Sequence, residues 1–159
     1  MGKFKEADQD CEVVISRDPQ NVIALLRKVE IRQAWALRAT SNNEKQQILQ
    51  GIRNCLDILN GLPVSTTPKY LAGYLRTLAM GAELCKEPVY AGRAKELLIN
   101  QQTEIEEEKN GGARKAVLKS LLILDRVYEN AGETDTTKKL KTLAEKFENK
   151  WQMYHRRDY

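Results

Sequence analysis

Apolar residues recur at every third or fourth position along most of this 159-residue chain, and nowhere do they alternate with period two between turn signals. A 3.6-residue stripe is what a helix needs to face a core, so the pattern predicts helices and no strands. Seven stretches emerge. The first, Lys3 to Ser16, carries Phe4, Ala7, Cys11, Val14 and Ile15 on one side and ends at Asp18-Pro19. The second, about Asn21 to Ala39, uses Val22, Leu25, Leu26, Val29, Trp35 and Leu37. After TSNNEKQQ, which reads as a polar loop, Gln46 to Asn60 presents Ile48, Ile52, Cys55, Leu56 and Leu59. GLPVSTTP reads as a turn in which Pro68 opens the fourth helix, since an amide proton at that place would have no helical partner.

The fourth stretch runs to about Cys85, where Pro88 interrupts it, and the fifth covers about Tyr90 to Glu108. KNGGA reads as a stop whose glycines supply left-handed geometry. The sixth, Ala113 to Asn130, is the most apolar, and the seventh follows AGETD with Leu140, Leu143, Ala144, Phe147, Trp151 and Tyr154. Short connections between helices of similar length make neighbours antiparallel. The expectation is an all-α fold of about seven helices, stacked as hairpins in one domain over 1–155 with a basic tail at 156–159.

Composition narrows the classes without changing this picture. With 42% apolar and 30% charged residues the chain falls among globular proteins, and nine glycines and four prolines leave little room for loops. No apolar run approaches the roughly 18 residues a bilayer crossing needs, and MGKFKEADQD lacks the apolar stretch of a signal peptide. A cytoplasmic or nuclear protein without a membrane partner is expected. Cys11, Cys55 and Cys85 cannot all pair and match no metal-binding spacing, so they read as reduced core residues. Of the net charge of +4, residues 134–159 hold seven basic and four acidic side chains, a local excess of basic charge.

A spacing recurs within this pattern. Ala7 and Cys11 precede Asp18-Pro19 as Gly51 and Cys55 precede Leu62-Pro63: a small residue, a packing residue four later, and a proline twelve after the small one. The small residue lets a neighbouring helix approach, the next packs on the same face, and the proline ends the hairpin. GKFKEADQDC with its SRDPQN ending, followed by NVIALLRKVEIRQAW, resembles the tetratricopeptide repeat family, most closely over residues 2–63. Val29 and Arg32 stand where that family prefers small and aromatic residues, and the two prolines are 44 apart rather than about 34.

The resemblance implies hairpins stacked as a right-handed superhelix that binds peptides or partner helices in its groove or at its end faces. It also makes the first helix the second half of a hairpin, leaving Phe4, Ala7 and Cys11 on an exposed end face. An upstream segment of a longer protein is the expected cover for that face, ahead of a second copy associating through the N-terminal helix or a separate partner. The groove would be lined by Arg27, Lys69, Arg76, Lys115, Lys119 and Arg126, suiting an acidic peptide. Some members of the family clamp a terminal carboxylate with a Lys and an Arg one turn apart; Arg27 holds the Arg-like place, but Ile23 stands where the Lys would be, which removes the two-point grip.

No catalytic or metal-binding constellation is visible. His155 in YHRRDY has no triad partners, NGGAR lacks the spacing and Lys of a phosphate loop, and the glutamates of EIEEEK radiate around a helix. No cofactor is expected. The sequence therefore points to a noncatalytic interaction module, a scaffold or adaptor within a larger assembly. The alternative is a nucleic-acid-binding helical repeat using Lys138, Lys139, Lys141, Lys146, Lys150, Arg156 and Arg157, with Trp151 or Tyr159 for base stacking.

Overall fold

A computed structural model describes residues 2–64 and 67–152. Among them lie eight helices and no strand: α1 (Gly2–Arg17), α2 (Val22–Arg38), α3 (Asn42–Asn60), α4 (Pro68–Cys85), α5 (Pro88–Asn100), α6 (Gln102–Glu106), α7 (Gly111–Asn130) and α8 (Thr134–Trp151). None of these helices is long and apolar enough to cross a membrane. Tyr154, His155 and the basic tail fall outside the described residues. The chain divides into two compact units, Met1–Thr77 and Leu78–Tyr159, with the boundary inside α4.

Local chemistry accounts for several boundaries. The Asn21, Ser41 and Asn110 side chains accept the backbone N–H of Ala24, Glu44 and Ala113 at 2.9, 3.1 and 2.9 Å, capping α2, α3 and α7. Ser41 thereby starts α3 at Asn42, four residues before the expected Gln46, and most of TSNNEKQQ is helix. Gly111 and Gly112 likewise form the first turn of α7 rather than a left-handed stop, because Asn110 supplies the cap one residue earlier. The glycine with positive φ is Gly132, at 76°, in the turn before α8.

The expected helix over 90–108 is two. The chain bends at Gln101 (φ −106°, ψ 20°), where its N–H still bonds the Leu97 carbonyl at 2.8 Å before α6 begins. The bend lets α6 pack on α8. It buries Ile105 and turns the Glu106 carbonyl to accept Trp151 Nε1 at 3.0 Å. Around that contact, Phe147 stacks on Trp151 with centroids 5.2 Å apart, and α7, which packs against α5 and α8, contributes the fully buried Leu118, Leu121 and Leu124.

In the first unit α2 lies against both α1 and α3. Leu25 and Val29 are buried on α2, and Ile48, Ile52, Cys55, Leu56 and Leu59 on α3. Gln33, also buried, donates its side-chain amide to the Thr77 carbonyl at 3.1 Å, tying α2 to the first half of α4. One side of the α1–α2 seam is ionic. Arg32 grips Asp8 with both arms, Nε to Oδ1 at 2.8 Å and Nη2 to Oδ2 at 3.0 Å, while Nη1 donates to the Ile48 carbonyl of α3 at 3.2 Å. Lys28 Nζ lies 3.3 Å from Asp8 Oδ1 and also pairs with Glu12.

Asp8 is 6% exposed and Lys28 likewise 6%, so the pairing is what makes their burial tolerable. The guanidinium reaches α3 across Gly51: a Cβ there would fall inside contact distance of Nη1, Cζ and Nε. Removing Asp8 leaves Arg32 without its carboxylate and Lys28 with only the exposed Glu12, so Asp8→Ala is expected to lower the stability of this unit by about 3 kcal/mol in urea unfolding. Gly51→Ala changes sign with context. Alone it displaces Arg32 and destabilises, whereas in an Arg32→Ala background it gains about 1 kcal/mol from helix propensity, and urea midpoints of the four proteins read the difference.

Candidate docking groove

The other side of the α1–α2 seam is open and apolar. A groove of about 680 Å³ runs between the helices, with Cys11 and Ala24 as its floor and Ala7, Val14, Ile23 and Ile31 along its walls. Cys11 and Ala24 are 5% and 7% exposed; Val14 and Ile23 are 42% and 59% exposed, and the neighbouring Val13 is 53% exposed. Asn21 and the exposed charges Asp10, Arg27 and Glu30 complete the lining. Each of the three stands apart from the ion pairs formed among the described residues.

The sequence explains why α2 has two working sides. VIALL, residues 22–26, is a continuous apolar run, wider than a single stripe can hold. Leu25 and Leu26 turn into the core while Ile23 is left on the groove wall. The hairpin is held by the ionic side and by Arg38, whose guanidinium lies 5.4 Å from the centroid of the Phe4 ring.

The residues expected on the end face separate accordingly. Ala7 and Cys11 do line the groove, but Cys11 is buried at its floor rather than exposed, because α2 closes over it, and Phe4 is half-buried beneath Arg38. Of the six expected groove cations, Arg27, Lys69 and Arg76 belong to the first unit and Lys115, Lys119 and Arg126 to the second. Arg27 is on the rim just described. Lys69 lies 4.9 Å from the centroid of the Tyr70 ring, and Arg76 is half-buried. Lys115 and Lys119 are exposed on α7. Arg126 is engaged, donating to both Glu83 carboxylate oxygens at 2.9 and 3.0 Å, and that hydrogen bonding holds its pKa above the ordinary arginine value.

Sequence reasoning already set Glu30 beside Arg27 on α2 but passed over Asp10 and Ile23 as binding residues; Ile23 was visible only as a missing lysine. For the nucleic-acid alternative, Lys138, Lys139, Lys141, Lys146 and Lys150 are exposed on α8. Trp151 is not available for base stacking, being buried against Phe147 with its N–H engaged and the Arg114 guanidinium 5.4 Å from its ring. Arg156, Arg157 and Tyr159 lie outside the described residues.

A second hollow, about 480 Å³, lies in the other unit between Pro88, Ala91, Val127 and Tyr128. Among the described residues, no three His, Cys, Asp or Glu side chains gather where they could hold a metal ion. No family model matches the chain, and neither a curated protein nor a solved structure matches it.

All three cysteines are buried, and burial pushes the Cys55 thiol up to about 11 and raises that of Cys11. The folded protein thus holds the Cys55 proton more tightly than the unfolded chain, whose thiol titrates near 9.0. The stability this contributes is full below about pH 9 and is lost as pH rises toward 11. Urea midpoints at pH 8 and pH 10.5 are expected to fall further apart in the wild type than in Cys55→Ala, the difference isolating this thiol from the lysines and tyrosines that titrate nearby.

Proposed function

We propose that the protein is a noncatalytic interaction module whose docking surface is the α1–α2 groove. It takes an amphipathic helical surface, serving as a scaffold or adaptor in a larger assembly. The observation that carries this reading is the exposure of Ile23 and Val14 beside a groove floored by apolar residues from two helices. Apolar side chains left at the solvent edge of a formed groove gain about 1.5–3 kcal/mol each when a partner covers them fully, and helix-in-groove recognition works through such anchors. Unpaired Asp10, Arg27 and Glu30 around the apolar centre would set the register of the partner.

The reading accords with a hairpin array of the tetratricopeptide type in the first unit. There α2 packs on both of its sequence neighbours, and Gly51 admits a group from the preceding helix at the place where that family keeps a small residue. Arg32, which departs from the family's aromatic preference, makes the close approach with its guanidinium. In such an array the α1–α2 groove is where a further helix would seat. The adaptor acts in the cytoplasm or nucleus, where three buried thiols stay reduced.

Affinity capture with cross-linking mass spectrometry identifies the partner, after which its Kd is measured against variants. Ile23→Asp places a charge in the groove wall and is expected to weaken binding at least tenfold, about 1.4 kcal/mol or more. Lys119→Glu in the second unit is expected to leave the Kd unchanged. A partner that binds Ile23→Asp as tightly as the wild type overturns the assignment of this groove.

A further inference from the structure

Resting on the docking reading above, we infer that the occupant of the α1–α2 groove is the same groove of a second copy, the two related by a twofold axis along the hairpin. Such an interface must be self-complementary, because each residue meets its counterpart's neighbour across the axis. This surface meets that demand in shape, since one face carries both a recess floored by Cys11 and Ala24 and a projecting Ile23 beside it. It meets it in charge as well, with both signs standing unpaired on the rim: Asp10 on α1, Arg27 and Glu30 on α2.

The register follows from helix rise. Asp10 lies about 10 Å back from the end of α1, and Arg27 lies about 8 Å from the start of α2, at 1.5 Å per residue. The hairpin sets those two ends side by side, so Asp10 and Arg27 stand at nearly the same height. A twofold axis running along the helices lays α1 of each copy over α2 of the other. It brings Arg27 within reach of Asp10 of the second copy, twice over, and seats each Ile23 against the opposing groove.

Two helices about 24 Å long and about 10 Å apart offer roughly 500 Å² per copy, which places the pair at the lower edge of specific interfaces. Association is therefore concentration-dependent rather than obligate.

Sedimentation equilibrium over roughly 10–500 μM protein tests this, the range suiting a weak interface. The wild type is expected to shift from monomer to dimer. Arg27→Glu and Asp10→Arg, each facing like charge in its own homodimer, are expected to weaken association at least about tenfold. In an equimolar mixture of the two variants, each introduced side chain meets the other across the axis with opposite charge, and the unaltered Asp10 of one variant meets the unaltered Arg27 of the other. That mixture is expected to recover wild-type association. Asp10 and Arg27 are both exposed, and unchanged thermal melts confirm that the variants fold. A monomer throughout the range, a dimer that survives both single changes, or a mixture that stays apart overturns the inference. A monomer whose separate partner still depends on Ile23 overturns the second copy alone and leaves the docking reading standing; a partner indifferent to Ile23→Asp removes the docking reading itself.

Discussion

The first unit is organised by one guanidinium. Arg32 starts on α2, closes on the carboxylate of α1 and ends on a carbonyl of α3, so a single side chain fixes three helices relative to one another. Its planar fork is what makes this possible: a lysine there has no second arm for Asp8 while a third nitrogen serves the Ile48 carbonyl. The arrangement depends on the missing Cβ of Gly51, and on Lys28, itself shared with Glu12, joining Arg32 in balancing a carboxylate that α1 and α2 remove from water. Such a cluster often adds no more stability than an apolar core of the same volume, but a half-satisfied one is costly, so removing one partner is penalised.

The consequence is local asymmetry. With Asp8, Glu12, Lys28 and Arg32 turned to one side, the other side of the α1–α2 seam keeps an apolar floor and walls, with Asp10, Arg27 and Glu30 left unpaired at its rim. Cys11 and Ala24 reach the floor because they are small, and the same smallness leaves a hollow above them that Val14 and Ile23 flank without filling. Rigidity on one side and vacancy on the other follow from the same residue assignments, which is why the docking proposal is tied to this hairpin rather than to a loop.

How much of this the sequence disclosed depends on whether a feature is local. Periodicity and capping residues located the helices, and Pro68 opens α4 as its chemistry demands. Gly51 was legible as a place of close approach, but its partner was not, because Arg32 looks like a departure from a repeat pattern until its guanidinium is seen crossing α3. The break at Gln101 left no trace in composition, since no glycine or proline marks it; its cause is tertiary, the pull of α8 on Ile105 and of Trp151 on a carbonyl. Gly111 and Gly112 misled in the opposite sense: two glycines suggest a stop, yet the asparagine before them decides where the helix begins. The groove itself was half visible in VIALL, a run too apolar for a helix with one buried stripe.

The two tryptophans are divided one to a unit, Trp35 in the first and Trp151 in the second. Their surroundings differ: Trp35 is half-buried, with the Arg32 guanidinium 5.8 Å from its ring, while Trp151 is enclosed and stacked on a phenylalanine. Intrinsic emission from the whole protein is thus a superposition of two reporters of unequal colour and quenching. Whether the halves melt together or in sequence is written in that spectrum, and replacing either indole by phenylalanine would let each half be watched alone.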